Sequence, residues 1–177
     1  MVKSNIRSLM KNQLLEQSKE EIISKSGEIC EKLLSLKEIK EANSIGFYLA
    51  KPTEVNVDYA IEQLINSKKI SVPVTNTHIT FADLNSLEAL HIGKFGIREP
   101  KIKKLIDYTP QVIVIPGVAF GLCKNRIGYG KGFYDSYLKN KKTFKIGIAF
   151  DFQITENVPC ESHDVQMDLI VTEKRII

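Results

Sequence analysis

The stretch richest in chemistry is Arg126-Ile127-Gly128-Tyr129-Gly130-Lys131-Gly132-Phe133-Tyr134-Asp135, preceded by Pro116-Gly117-Val118-Ala119-Phe120. Gly128, Gly130 and Gly132 permit positive φ and let a ligand approach the backbone closely. Where such a loop runs into a helix, successive amide N–H groups and the helix N-terminus form a cradle for phosphate. Arg126 and Lys131 add fixed positive charge, and an arginine fork can hold two phosphate oxygens at once. Asp135 offers a hard oxygen to magnesium, the ion that normally accompanies a triphosphate. The loop is not a Walker A sequence, because Gly132 rather than Ser or Thr follows Lys131 and position 125 is Asn. It does not fit G-x-G-x-x-G either. On residue chemistry alone, an anion-binding loop and a tight structural turn both remain open.

A loop of this kind needs a rigid strand before it and a helix after it. Gln111-Val112-Ile113-Val114-Ile115-Pro116 is apolar enough to be buried on both faces, and a helix is expected from about Gly132 to Lys139. Further strands are expected at Ile45 to Leu49, Lys69 to Val74, His78 to Phe81, Lys145 to Phe150 and Asp168 to Thr172. The segment up to Pro100 looks irregular. Ile6, Leu9 and Met10 recur at helical spacing, and Ser18-Lys19-Glu20-Glu21 has the form of a capping box. The helix it opens would turn Ile22, Ile29, Leu33 and Leu36 inward. Asn56 can cap a helix running to about Ser67, with Ala60, Ile61, Leu64 and Ile65 inside. Strands alternating with helices predict an α/β fold: a single domain over 1–177, with a mainly parallel, Rossmann-like open sheet covered by helices on both faces. Such sheets bind ligands beyond the carboxyl ends of their strands, which is where the glycine loop falls.

Composition is consistent with this. The chain has 177 residues, 43% hydrophobic and 26% charged, with a net charge of +4. That suits one folded domain with an anionic small ligand, and falls short of the basic excess of a nucleic-acid binder. Apolar runs are only strand-sized, so no membrane span is expected. The polar start predicts no secretory signal. Cys30, Cys123 and Cys160 form no CxxC pair and are expected as free thiols in a cytoplasmic protein. His78, His91 and His163 lack zinc-ligand spacing.

The run R-I-G-Y-G-K-G-F-Y-D after P-G-V-A-F resembles the signature of the 5-formyltetrahydrofolate cyclo-ligase (5,10-methenyltetrahydrofolate synthetase) family. The resemblance covers nearly the whole chain. Lys3-x-x-x-Arg7 resembles the family's N-terminal nucleotide contact. Phe47-Tyr48-Leu49 with Glu54 resembles its folate segment, and Lys94-Phe95-Gly96-Ile97-Arg98-Glu99-Pro100 resembles a middle motif. His163-Asp164-Val165-Gln166-Met167-Asp168 with Val171-Thr172-Glu173 resembles its C-terminal block. Two positions depart from the pattern: Gly121 stands where Asp is frequent, and Asn125 where Gly is frequent. Asn tolerates left-handed geometry, which would make the second change mild.

The resemblance implies ATP-dependent closure of 5-formyltetrahydrofolate to 5,10-methenyltetrahydrofolate, with ADP and phosphate released. It assigns ATP to Lys3, Arg7 and residues Arg126, Ile127, Gly128, Tyr129, Gly130, Lys131, Gly132, Phe133 and Tyr134. It assigns folate, with or without a polyglutamate tail, to Leu49, Glu54, Tyr129, Gly130, Lys131, Gly132 and Phe133. Arg126 and Lys131 would be catalytic, and Asp135 and Asp168 would hold Mg2+. The expected protein is a monomer with no nucleic-acid or membrane partner. Bland readings stand beside these: a solvated helix face for Lys3 and Arg7, a strand-end cap for Asp168, a surface carboxylate for Glu54. Tyr129, Phe133 and Tyr134 can stack on the pterin or pack under the helix. His163-Asp164 invites a catalytic reading, but the reaction needs no histidine base, and Cys123 has no activating neighbour in sequence. The clusters Lys101, Lys103, Lys104 and Lys139, Lys141, Lys142 are solvated faces unless a polyglutamate tail engages one. A sugar-phosphate isomerase or aminosugar-phosphate deaminase, and a sensing module without turnover, are the rival functions.

Overall fold

The computed structural model describes residues 2–75, 77–93 and 96–177. The chain opens with helices α1 (Lys3–Glu16), α2 (Lys19–Ser35) and α3 (Lys37–Glu41), then strand β1 (Ser44–Gly46), α4 (Asp58–Leu64), β2 (Lys69–Thr75) and β3 (Ile79–Asp83). Strands β4 (Leu90–Ile92), β5 (Arg98–Pro100), β6 (Val112–Pro116), β7 (Ala119–Gly121) and β8 (Arg126–Ile127) follow. Helix α5 (Phe133–Leu138) and strands β9 (Phe144–Ile148), β10 (Ile154–Thr155) and β11 (Leu169–Val171) complete it.

The main sheet has the order β11-β9-β6-β1-β2-β3, parallel except at the edge pair β2 and β3. Successive side chains of β6 face opposite ways, as strand geometry requires. Val112 and Val114 join a core with Ile29 and Leu33 of α2 and Ile61 of α4. Ile113 and Ile115 join a second core with Phe81 and with Leu138 of α5. A central strand apolar on both faces is thus what a sheet with helices on both sides demands. A smaller core sits to one side. There Ile6 and Met10 of α1 pack on Val118, Ala119 and Ile127, carried by the three-stranded sheet β10-β7-β8.

Local signals hold closely. Ser18 and Glu21 form the reciprocal capping box of α2. The N-cap of α4 is Val57, with no side-chain cap; Asn56 stands one residue earlier, where its Oδ1 accepts the Asp58 N–H at 2.8 Å, and the helix ends at Leu64 rather than Ser67. On α1 the buried positions are Ile6, Met10 and Leu14, while Leu9 faces out. The stretch before Pro100 holds a hairpin of β4 and β5 that sequence reading leaves irregular. Its strands are three residues each and half exposed, too short to show alternation. Lys94 and Phe95 of the middle motif lie outside the described residues.

Strand β1 is shorter than expected. Its ladder ends at Gly46, with one more bond from Phe47 N–H to Ser71 C=O at 2.8 Å. Residues 48–54 are thereby freed to cross above the carboxyl ends of the strands.

Candidate active site

A cavity of about 850 Å³ lies at those carboxyl ends. One wall is the glycine loop with Lys3 and Arg7 of α1; facing it are Tyr48, Leu49, Lys51 and Glu54, with the hairpin residues Ile97 to Glu99 and the 161–164 segment at the rim. Every ATP and folate position named from the sequence lines this one space, and so does Asp135. Among the described residues, no three His, Cys, Asp or Glu side chains cluster as a metal site.

The glycines serve different purposes. Gly130 has φ 102° and Gly132 φ 63°, conformations that side chains rarely adopt. Gly128 does not have positive φ; a Cβ there would lie 2.7 Å from Arg126 Nη1. Its role is to leave room for a guanidinium. Arg126 is buried, with its side chain only 4% exposed, and Nη2 donates to Asp135 Oδ2 at 2.9 Å. Nη1 reaches the Pro116 carbonyl at 3.3 Å, and Nε has no partner. The arginine lines the cavity but its fork is already engaged. Lys131 is the exposed cation of the loop, 5.7 Å from the Phe133 ring centroid.

Arg7 and Lys3 reach the loop wall from one helix face, as their spacing requires. Arg7 Nε donates to the Gly128 carbonyl at 2.9 Å, and its guanidinium carbon would lie 3.7 Å from a Cβ on Gly130. Lys3 instead meets Asp164 at 2.5 Å and Glu161 at 3.0 Å. Burial alone would lower the Lys3 pKa, but the hydrogen bonds and charges of Asp164 and Glu161 outweigh it and raise it. Asp164 is correspondingly shifted down: burial opposes ionisation, and Lys3 and the Glu161 amide more than offset it. Lys11, one helical turn past Arg7, brings its ammonium 5.7 Å from the Tyr129 ring. The i, i+4, i+8 spacing of Lys3, Arg7 and Lys11 was the signal for this third cation, and sequence reading passed over it.

Glu54 is buried at 7% exposure. It accepts the Lys51 N–H at 2.9 Å, and the Tyr129 phenol lies near it. Burial first, then the nearby Glu54 carboxylate, push the Tyr129 phenol well up, so it stays a donor. Tyr134 packs against the α5-side core with the Arg126 guanidinium 5.4 Å from its ring, and burial raises its pKa strongly. Of the three aromatics, Phe133 is the one left at the cavity without a core assignment.

The second magnesium residue needs correction. Asp168 is not in the cavity: it precedes β11 at the amino ends of the strands. There its Oδ2 accepts the Lys145 N–H at 2.7 Å and pairs with Lys145 Nζ at 2.7 Å. The carboxylate brought to Asp135 is Asp164, since the next residue, Val165, donates its N–H to Asp135 Oδ1 at 3.2 Å. The pattern H-D-V-Q-M-D contains both aspartates, and only the turn before β11 decides which one faces the cavity. His163 is exposed, 3.5 Å from Glu161 and 3.8 Å from Asp164.

The departures at 121 and 125 also resolve. The left-handed residue of that turn is Lys124, φ 66°, not Asn125. Asn125 is buried and donates to Cys123 Sγ at 3.3 Å. A Cβ on Gly121 would lie 3.1 Å from that sulfur and 3.2 Å from Val158. Gly121, Cys123 and Asn125 therefore make one packed turn outside the cavity.

Comparison with known proteins follows the same outline. The sequence model described as the 5-formyltetrahydrofolate cyclo-ligase family matches residues 1–173. A probable 5-formyltetrahydrofolate cyclo-ligase of Caenorhabditis elegans is 30% identical over 99% of this chain and 95% of its own length. Among solved structures, the 5,10-methenyltetrahydrofolate synthetase of Aquifex aeolicus superposes with a TM-score of 0.88 at 32% identity, covering 99% of this chain and 92% of that one. The synthetase of Mycoplasma pneumoniae superposes with a TM-score of 0.79 at 28% identity, covering 98% and 99%.

Proposed function

Since the chain belongs to the 5-formyltetrahydrofolate cyclo-ligase family and so is an ATP-dependent ligase, we propose that its cavity closes the formyl group of 5-formyltetrahydrofolate onto N10 through a phosphorylated intermediate. The formyl oxygen is a poor leaving group. Its lone pair forms an O–P bond to the γ-phosphorus of ATP while the bond from that phosphorus to ADP breaks, and ADP keeps the electron pair. The resulting iminium phosphate is attacked by N10, N10 loses its proton to water, and phosphate departs with the C–O pair. Little covalent chemistry is left to the protein; it must position the two substrates and stabilise negative charge.

The observation that supports this reading is one cavity holding a phosphate cradle and a fixed carboxylate on opposite walls. Gly130 and Gly132 in left-handed geometry let loop amides face the triphosphate, with Arg7, Lys131 and Lys3 as its cations. Lys3 would exchange its carboxylate partners for phosphate oxygens as ATP enters. Glu54, held by the Lys51 amide and lying beside the Tyr129 phenol, would take N–H donors of the pterin, with Leu49 and Phe133 against its faces. Arg126 acts from behind the loop: paired with Asp135, it sets the position of both.

Family function implies magnesium with ATP, and the residues fit it. Asp135 and Asp164 are hard oxygen donors on adjoining segments of the cavity, and magnesium takes one or two carboxylates besides phosphate oxygens and waters. When bound, the ion neutralises phosphate charge. Asp135 and Asp164 would hold it, and the Val165 amide keeps the Asp135 carboxylate turned toward that side.

The direct test is turnover of 5-formyltetrahydrofolate with ATP and magnesium, followed by the near-ultraviolet absorbance of the methenyl product and by ADP release in equal amount. Folded protein that makes neither product overturns the proposal and favours a module that binds without turnover.

A further inference from the structure

The cavity is ringed by basic side chains, and most are already held by carboxylates. Lys3 is held by Asp164 at 2.5 Å and Arg126 by Asp135 at 2.9 Å. Arg98 is held by Asp58 at 2.7 Å, and Lys103 by Glu99 at 2.8 Å. Among the described residues, Arg7, Lys131 and Lys51 line the cavity without a carboxylate oxygen in hydrogen-bonding distance. Arg7 and Lys131 belong to the glycine-loop wall. Lys51 does not: it comes from the opposite side, three residues before Glu54.

The Lys51 ammonium is 3.5 Å from the centroid of the Tyr129 ring, and Glu54 Oε1 is 4.0 Å away. The Tyr129 phenol lies beside Glu54, whose charge adds to burial in raising its pKa. The ammonium therefore stands at the seam between the glycine loop and the Glu54 wall. A ring face attracts a cation without using up its N–H donors, so a positioned ammonium keeps donors to offer an anion. Phosphoryl transfer between a nucleotide on one wall and a folate on the other must cross this seam.

We propose that Lys51 is a further catalytic residue of the reaction: its ammonium, set in place by Tyr129, donates to the oxygens of the γ-phosphoryl group as that group passes from ADP to the formyl oxygen. This rests on the cyclo-ligase reading above. During the transfer the new O–P bond forms as the bond to ADP breaks, and charge spreads over the three phosphoryl oxygens. A cation that meets those oxygens only at the seam stabilises the transition state more than either bound substrate, so it raises kcat rather than tightening binding. No proton needs to leave Lys51, and no other reactant is consumed.

The experiment is rapid-quench single turnover, with saturating enzyme, ATP and magnesium, on the unaltered chain, Lys51→Met and Lys51→Arg, reading ADP formation and methenyl product. Lys51→Met is expected to slow ADP formation at least tenfold with KM for both substrates within about threefold, and Lys51→Arg to recover most of the rate. Circular dichroism melts establish that both variants are folded. A folded Lys51→Met with a normal single-turnover rate overturns the proposal. So does a raised folate KM at normal kcat, which would make Lys51 only a support for Glu54. If Lys51→Met misfolds, Lys51→Arg and Lys51→Gln decide: equal rates in these two overturn it, and a tenfold deficit confined to Gln supports it. Failure of the unaltered chain to form ADP or product overturns the cyclo-ligase reading instead, so the two failures are distinguishable.

Discussion

The two ends of the parallel sheet each carry an aspartate paired to a cation, and the two pairs differ in what they are for. At the carboxyl ends Asp135 meets Arg126 with side-chain exposures of 15% and 4%; at the amino ends Asp168 meets Lys145 at 37% and 18%. Asp168 caps the start of a strand: the Lys145 N–H needs an acceptor there, and the carboxylate supplies it. Asp135 belongs to the first turn of α5, which together with the glycine loop lines the cavity instead of pairing with a neighbouring strand. The same residue type is thus a strand-end cap at one edge and part of a cavity wall at the other. Chain direction in a parallel sheet makes the distinction.

Substitutions at both ends test how deep that difference goes. The largest effect is expected from Asp135→Asn, which should lower kcat at least a hundredfold, about 2.7 kcal/mol of transition-state stabilisation. Asn still accepts from Arg126, so a thermal melt should show a folded protein. A magnesium titration then divides the role: a higher magnesium requirement marks a metal ligand, and an unchanged one leaves Asp135 solely as the partner that orients Arg126. Near-normal turnover would erase the contrast between the two ends.

Gly128→Ala comes next. The backbone there accepts alanine, but the methyl would meet Arg126 Nη1 at 2.7 Å, and a buried guanidinium has little room to retreat. Overpacking of this kind costs about 1–3 kcal/mol of stability. Displacing Arg126 from Asp135 should lower turnover about tenfold. Unchanged activity and melting temperature would show that the Arg126 position is not set by Gly128.

Asp168→Asn should do least. Its amide oxygen can still accept the Lys145 N–H, and a partly exposed ion pair contributes about 0.2–1 kcal/mol. Urea unfolding should register at most that loss, with kcat and magnesium dependence within about twofold of the unaltered chain. A hundredfold loss of turnover would return Asp168 to the catalytic site and break the comparison from its other side.

Much of the fold was legible because its signals are local. The capping box at Ser18 and Glu21, the Asn56 turn and the two-faced apolar run of β6 each depend on a few neighbouring residues. The hairpin of β4 and β5 was not legible, because its short, half-exposed strands are held by pairing with each other rather than by a buried face. In the site, the glycine loop and the Lys3 and Arg7 spacing were visible in the sequence, and both lie on one cavity wall. Lys51 was not singled out, and Asp164 stood out only beside His163 as a catalytic pair, not as a metal ligand. Nothing in A-K-P-T-E marks a lysine that will stand over Tyr129, and two aspartates in one motif are chemically equal until the chain turns.

By itself the sequence determined the composition of the site and the class of sheet that carries it. Residue type settles which groups can bend at positive φ, carry charge or accept a hydrogen bond, and hydrophobic period settles which strands are buried on both faces. Tertiary structure alone decided which charges are paired. Arg126 looked like a phosphate ligand and is turned to Asp135; Lys3 is held by Asp164 and Glu161; Asp168 is drawn to Lys145. Ion pairing depends on distances of a few ångströms between segments up to 161 residues apart, as from Lys3 to Asp164. Coulomb energies and hydrogen bonds vary steeply over that range. No spacing along the chain encodes it.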